Sequence, residues 1–566
     1  MITNVILRAT SEVNIEVKKV CNRVLGKTVD VSVCDALGVL DVLDGRPEQV
    51  LLSEEKSKFE LQARSGKKTA RARLELLLDA ESFEEFDQLA TSPFLEKKEL
   101  TDGVVTGFGT VAGRKVAVYA QDFTIKGGSL GKRHAEKICK IMDLAAKVGC
   151  PIIGIIDSGG ARIDEGIHAL AGYGNIFTRN CRYSGVVPQI SLILGPCAGG
   201  AVYSPALTDF IFTTQGISHL FITGPQVIEQ VLHQTITKEA LGGAQVHAQQ
   251  SGVAHVVTQT EEACFVQVKK LLEYLPSNYL QGVPAAAQVA FADRPPCNPP
   301  ERALQDGCQR DNAFSPVCIS SLVPKNFNQG YDIKKVIDAL VDNNSFYEIQ
   351  ELFAPNIVTG FAFIDGMSVG IVANQPAVKA GTIDIDASCK AARFIRFCDS
   401  FGLPIVSLVD VPGYLPGVEQ EHNGIIRHGA KLLYAYATAT VPKITVILRK
   451  AFGGAYIVMG SKELGADFNF SWPSAQIAVL GAKAAVSIMY GKKLAKIEDG
   501  ERAAQAALLE SKYTKDFLNP VVAASSGYID AIIEPSQTRH HIIRALNFTA
   551  DKVERLPARK HGNMPL

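Results

Sequence analysis

Four glycine-rich segments are the residues of this chain best placed to do chemistry, and they would do it through the backbone. Asp157-Ser-Gly-Gly-Ala-Arg162 and Gly195-Pro-Cys-Ala-Gly-Gly-Ala201 each follow an apolar run, as do Asp410-Val-Pro-Gly413 and Ala451-Phe-Gly-Gly-Ala455. Glycine admits positive φ and lets a ligand approach the main chain. Where such a turn opens a helix, the first N–H groups have no intrahelical acceptor and point at whatever sits there. Two of them form an oxyanion hole for a carbonyl oxygen that gains negative charge during reaction. Tight packing of a strand on a helix would explain a single Gly-Gly equally well. Recurrence at equivalent places favours one site built from two halves.

Side chains offer less. His134, His422 and His428 are candidate acid–base groups, but each sits in helix-like or polar surface sequence, which fits a structural or solvent-facing role better. Glu419-Gln-Glu421 reads as a carboxylate pair or, preferably, a solvated loop. The sequence has no phosphate-binding lysine loop, no metal-spaced histidine pair and no dinucleotide fingerprint. Oxyanion donors without a nucleophile or base point to enolate chemistry, with the base supplied by a bound cofactor or substrate.

The elements that must position these turns come in two copies. Gly107-Phe108, Lys126, Pro151 and Asp157 recur as Gly360-Phe361, Lys379, Pro404 and Asp410 at a constant offset of 253 residues. Pro188 and Gly200-Ala201 recur as Pro442 and Gly454-Ala455 at 254, so one inserted residue separates the two stretches. A repeat of this length means a duplicated unit. In each copy the pattern predicts strand, strand, helix, strand, helix, strand. Val116–Ala120 and Val369–Ala373 read as strands. The helices run from His134 to Lys147, with Ile138, Ile141, Met142 and Ala145 on one face, and from Asp386 to Ser400, with Cys389, Ala392, Phe394 and Phe397. Each helix stops at a glycine, Gly149 or Gly402. The apolar runs ending at Asp157, Leu194, Asp410 and Leu448 read as strands buried on both faces. Alternation of this kind predicts an α/β fold.

With 566 residues the chain exceeds a single core. Its boundaries are set at an extension over 1–55, a first domain over 56–294, a proline-rich linker over 295–316 and a second domain over 317–566. A polar, basic break near Lys56 to Thr69 precedes an amphipathic helix over Ala70 to Asp79. The 58 basic and 58 acidic residues balance, leaving no global field for nucleic acid or an anionic membrane. Apolar runs such as 151–156 are too short to span a bilayer, so a soluble protein is expected. The 12 cysteines include no Cys-x-x-Cys; Cys297, Cys308 and Cys318 flank the linker, and all are expected to be reduced thiols in an intracellular protein. Residues 1–27 mix basic residues with Glu12 and Glu16 and fix no address.

Several stretches resemble the carboxyltransferase (β) subunits of biotin-dependent acyl-CoA carboxylases, especially those of propionyl-CoA carboxylase. They are Asp157-Ser-Gly-Gly-Ala-Arg-Ile163, Gly195-Pro-Cys-Ala-Gly-Gly-Ala-Val-Tyr-Ser-Pro205, Phe221-Ile-Thr-Gly-Pro225, Asn374-Gln-Pro376, Gly424-Ile-Ile-Arg-His-Gly-Ala-Lys-Leu-Leu433, Lys450-Ala-Phe-Gly-Gly-Ala-Tyr456 and Arg559-Lys-His-Gly-Asn-Met-Pro-Leu566. The resemblance runs from about Lys67 to the end and implies two tandem crotonase-like (ClpP/crotonase, ββα spiral) domains. It implies a homohexamer core within an α6β6-type assembly, each site lying between the first domain of one copy and the second of another. By the resemblance, acyl-CoA would lie along Ser158, Gly159, Gly160, Ala161, Arg162 and Ala201, with Gly199 and Gly200 donating to the thioester oxygen. Carboxybiotin would enter the second domain near Gly413, Gly453, Tyr456 and Ile457, with Gly454 and Ala455 donating to its ureido oxygen. Carboxybiotin would release CO2, its nitrogen would remove the α-proton, and the enolate would capture the CO2. This gives transfer to the α carbon of an acyl-CoA, propionyl-CoA to methylmalonyl-CoA, with no metal.

Having neither an Ala-Met-Lys-Met biotinylation site nor an ATP loop, the chain is expected to need an α partner carrying biotin carboxylase and biotin carrier functions. The expected address is the mitochondrial matrix in a eukaryote or the cytoplasm in a bacterium. Propionyl-CoA-preferring relatives usually have aspartate after Gly-Gly-Ala-Tyr. Here Ile457 removes that charge and adds apolar bulk, making another acyl length an alternative. Further alternatives are the carboxyltransferase subunit of a biotin-dependent decarboxylase or transcarboxylase, a crotonase-type hydratase or isomerase, and a non-enzymatic scaffold.

Overall fold

A computed structural model of the chain describes Gln62 and residues 66–94, 99–284 and 319–565. The expected extension, the proline-rich linker and its three cysteines lie outside the described residues. The chain divides into two compact units, Met1–Ser65 and Gly66–Leu566. Only Gln62 of the first is described. All that follows belongs to the second.

Its first half contains β1 (Glu84–Phe86), β2 (Val104–Val111), β3 (Arg114–Gln121), β4 (Ile152–Ser158), β5 (Gln189–Ala198), β6 (Phe210–Thr214), β7 (His219–Phe221) and β8 (Val256–Thr258). They form one sheet in the order β1-β2-β3-β4-β5-β6-β8, with β7 on the end of β5. The first three strands pair antiparallel and the rest parallel. Its helices include α1 (Ala70–Leu77), α2 (Lys132–Val148), α3 (Ile167–Tyr183), α4 (Tyr203–Leu207) and α5 (Glu261–Tyr274).

The second half repeats this with β9 (Tyr347–Ile349), β10 (Ile357–Ile364), β11 (Met367–Asn374), β12 (Ile405–Val411), β13 (Lys443–Phe452), β14 (Phe468–Ser471), β15 (Gln476–Ala478) and β16 (Ala531–Ile532). The order is β16-β14-β13-β12-β11-β10-β9, with β15 on the end of β13. Its helices include α6 (Ile333–Leu340), α7 (Ile385–Ser400), α8 (Ile425–Thr438), α9 (Gly453–Val458) and α10 (Thr538–Phe548). The predicted strand, strand, helix, strand, helix, strand run is present in both halves.

Local chemistry explains the boundaries. The Thr69 hydroxyl caps α1 by accepting the Ala72 N–H at 3.2 Å, and the Asp384 carboxylate caps α7 through Ala387 N–H at 2.9 Å. Gly149 ends α2 in the left-handed conformation, φ 74°. β4 and β12 are buried at every position, as continuous apolar runs in a covered parallel sheet should be. Duplication extends to single hydrogen bonds. Asp79 accepts the N–H groups of Ala112 and Gly113 at one hairpin, and Asp342 those of Asp365 and Gly366 at the other. Buried Lys137 donates to the carbonyls of Thr101 and Val104; buried Lys390 donates to those of Phe353, Ala354 and Ile357.

One apolar core runs from the first half into the second. Phe210 of β6 packs edge-on against Phe397 of α7 at 4.6 Å between ring centroids, and Tyr274 of α5 stacks on Phe363 of β10 at 4.7 Å. Phe210, Phe361 and Tyr274 are all buried in it.

Candidate active site

The paired turns stand at the same end of equivalent strands. β5 delivers Ala198, and Gly199–Val202 forms a 3-10 turn leading into α4. β13 delivers Phe452, and α9 begins at Gly453. Gly199 and Gly453 occupy equivalent positions with φ 61° and 59°, where a β carbon is strained. Gly200 and Gly454 do not have positive φ. A β carbon on Gly200 would touch only the Tyr173 ring, at an ordinary 3.7 Å, and one on Gly454 would meet nothing within 4 Å. No neighbour within this chain excludes a side chain at either second glycine. Ala201 and Ala455 turn their methyl groups into the core. By the repeat register Gly199 matches Gly453 and Ala201 matches Ala455. The donor pairs expected for the two halves are therefore offset by one residue, and each turn presents a run of N–H groups at the start of a helix.

Ser158 to Arg162 braces the first turn. Gly159 N–H donates to the Gly127 carbonyl at 3.0 Å, Gly160 N–H to the Ser158 hydroxyl at 3.1 Å, and Arg162 N–H to the Leu130 carbonyl at 3.0 Å. Gly160 has φ 107°, and a β carbon there would press on the Ala198 carbonyl at 2.9 Å. Ser158, Gly160 and Arg162 are buried, leaving Gly159 exposed and Ala161 half-buried. Arg162, expected beside acyl-CoA, instead points inward. Its guanidinium binds the Asp102 and Glu165 carboxylates at 2.7 Å each, so the side chain braces the loop. Gly413 plays the part of Gly160 in the second half. Its carbonyl accepts the Ile383 N–H at 3.1 Å, as that of Gly160 accepts Leu130 N–H at 2.9 Å. Tyr456 is half-buried, with a hydroxyl that has no hydrogen-bond partner, and Ile457 is 40% exposed.

Behind each turn lies a fully buried aspartate. Asp157 is paired with Lys67 at 2.8 Å and with Arg73 at 2.9 Å, and Arg73 also meets Glu261 at 2.8 Å. Asp410 is paired with Arg449 at 2.9 Å. Burial raises the pKa of each aspartate, and its cationic partners oppose the shift. The arginines reach these equivalent carboxylates from different places. Arg449 stands on β13 itself; the matching residue of β5 is Gly195, where a β carbon would collide with the Asp157 carboxylate, and Arg73 comes from α1.

The histidines do not converge on the turns. His134 is buried, with Nδ1 against the Asp102 carbonyl at 3.0 Å, and burial holds its pKa well below 6.5. His428 has Nδ1 at 3.1 Å from the Cys389 sulfur, so Cys389, expected on the apolar face of α7, faces α8 instead. Glu419 and Glu421 are exposed on the short helix Val418–His422, as a solvated segment should be. No group of three or more His, Cys, Asp or Glu able to hold a metal occurs among the described residues. Tyr173, beneath Gly200 with a buried, unpartnered hydroxyl, was not singled out by sequence. Neither were Arg73 and Arg449, because a lone arginine carries no pattern.

The sequence model of the carboxyl transferase domain family matches residues 61–564. The chain belongs to this family. It is a carboxyltransferase, and its two sheets have the crotonase-like α/β architecture expected from the sequence. The propionyl-CoA carboxylase beta chain of Saccharopolyspora erythraea is 54% identical over 509 residues, covering 88% of this chain and 91% of the relative. The methylmalonyl-CoA decarboxylase subunit alpha of Veillonella parvula is 50% identical over 532 residues, covering 93% and 99%. Among solved structures, the transcarboxylase 12S hexamer with methylmalonyl-CoA and methylmalonic acid bound has a TM-score of 0.84 at 44% identity, covering 92% of this chain and 98% of that one.

Proposed function

We propose that this chain transfers a carboxyl group from carboxybiotin to the α carbon of an acyl-CoA, with propionyl-CoA giving methylmalonyl-CoA. The observation that supports this is the second glycine of each turn: no neighbour among the described residues of this chain requires it, which fits space kept for a ligand. Gly199 and Gly200 N–H groups bind the thioester oxygen and stabilise it as charge develops, each such donor contributing about 3–4 kcal/mol. Gly159 and Ala161 line the acyl-CoA path with backbone. The open space before Gly454 and the free N–H groups of Gly454 and Ala455 suit the ureido oxygen of biotin, beside Gly413, Gly453 and Tyr456. Carboxybiotin, delivered on an α partner with biotin carboxylase and carrier functions, supplies the activated carboxyl group and a nitrogen that accepts the α-proton. Within this chain, no histidine or unpaired carboxylate placed above converges on the turns, which fits a base that arrives with the second substrate.

The division of labour follows the expected domains, 56–294 for acyl-CoA and 317–566 for biotin, in a homohexamer like that described for transcarboxylase 12S. No helix among the described residues is long and apolar enough to cross a membrane, and a cytoplasmic or matrix setting is our reading. The relatives named as methylmalonyl-CoA decarboxylase subunits favour a second reading, the same site run from methylmalonyl-CoA toward biotin.

The test uses purified chain with free biotin and methylmalonyl-, malonyl- or ethylmalonyl-CoA, following loss of the carboxyl group by chromatography. Turnover of one of these CoA esters only when biotin is present is expected. Turnover of none would overturn the assignment. Co-purification from the native host separates the two directions, a soluble biotin carboxylase marking carboxylation and a membrane subunit marking decarboxylation.

A further inference from the structure

A cavity of about 310 Å3 lies between the two halves, walled by Phe210 and Phe397 and lined by Asp209, His255, Arg393 and Arg396. It is remote from the glycine turns. Asp209 accepts the N–H of Gln189 at 2.8 Å, at the start of β5, whereas Gly199 follows the far end of that strand. Ten strand residues separate the two by about 30 Å.

The charges in this cavity are unbalanced. Arg393 donates to the Thr208 carbonyl at 2.5 Å, and among the described residues its guanidinium meets no carboxylate within ion-pair distance. The side chain is exposed to solvent, and the Asp209 charge acts on it. Arg396 makes one long bond, to the Thr438 hydroxyl at 3.4 Å. The His255 Nδ1 accepts the Ile211 N–H at 3.1 Å, which fixes the neutral ring as the Nε2–H tautomer. That Nε2–H has no acceptor among the described side-chain hydrogen bonds. Burial first, then Arg393, holds the His255 pKa well below 6.5, so the ring stays a neutral donor. Two guanidinium groups and an imidazole N–H thus line one water-accessible space with a single carboxylate, and that carboxylate already serves Gln189. Both arginines are solvent-exposed at the cavity, so an anion can reach them from water, and a planar guanidinium matches an oxyanion in two-point geometry.

We propose that this cavity is a binding site for a small oxyanion, a phosphate or a short-chain carboxylate, gripped by Arg393 with Arg396 and His255 Nε2–H as further donors. Occupancy would join α7 of the second half to the α4–β6 connection of the first, which the Arg393–Thr208 bond already spans.

Calorimetric titration of the full chain with inorganic phosphate and, separately, with propionate tests the proposal. Saturable binding of one anion per chain is expected for at least one of them, and which one identifies the ligand as phosphoryl or carboxylate. Arg393→Gln should lose that binding and Arg393→Lys weaken it. Asp209→Asn should strengthen it, since the amide oxygen still accepts from Gln189 while the repelling charge is gone. Strengthening is an outcome that damage to the fold does not produce. Burial holds the Asp209 carboxyl up at about 6, so sulfate, which does not titrate here, should bind more tightly as pH falls through that value. His255 and Arg393 keep their charge over the same range. Failure of both anions to saturate, binding undiminished in Arg393→Gln, or affinity unchanged in Asp209→Asn would each overturn the site.

Discussion

Gly199 and Gly200 stand side by side, yet substitution should act on them by different physics. Alanine at Gly199 or Gly453 must hold a left-handed φ, at about 1–2 kcal/mol each. Both variants should melt earlier in a thermal scan. Valine at Gly200 or Gly454 meets little or no protein, so the melting temperature should change little while carboxyl transfer is abolished. Near-normal turnover in both valine variants would remove the oxyanion assignment. Ile457, exposed and two residues beyond Ala455, gives a third outcome at this scale. Ile457→Asp should move acyl preference among acetyl-, propionyl- and butyryl-CoA, read as a change in relative kcat/KM. An unchanged profile would detach that residue from specificity.

Among the elements, the first long helix of each half carries a buried lysine, Lys137 or Lys390, that ties the helix to the loop and strand before it. Replacing either with methionine leaves two or three carbonyls without a donor, at about 1–3 kcal/mol each. Burial lowers Lys137 to about 8 and Lys390 to about 7. Between those values and 10.5 the unfolded chain holds a proton that the folded chain does not, so stability rises with pH across the window and falls as pH drops through it. Urea midpoints measured from pH 7 to 10 should show the rise, and each methionine variant should flatten it. The strands and helices were legible in the sequence because their apolar runs and terminal glycines recur at one offset. These lysines were not. A lysine within an amphipathic helix reads as surface, and only its distant carbonyls make it internal. The inward turn of the Arg162 guanidinium was not legible for a related reason: its place in a glycine motif said nothing of side-chain direction, and Asp102 lies 60 residues earlier.

At the scale of the molecule, the halves share a core that neither completes alone. Cleaving the chain at a protease site placed within 295–316 should leave the two fragments together on gel filtration. Either fragment expressed alone should aggregate, because Phe210, Tyr274, Phe361 and Phe397 would be bared. Independent, soluble fragments would count against that shared core. The buried aspartates bear on how the halves diverged. If the copies began alike, one of them changed the source of its arginine. On that path Asp157 loses its strand arginine before Arg73 arrives, or receives a second arginine too early. A carboxylate stranded inside a protein costs several kcal/mol, enough to eliminate the lineage that carries it. Lys67, 2.8 Å from the same carboxylate, keeps the charge accompanied through that passage. The first half thereby came to depend on its own leading segment, ahead of its sheet, while the second still draws its counter-charge from its own strand.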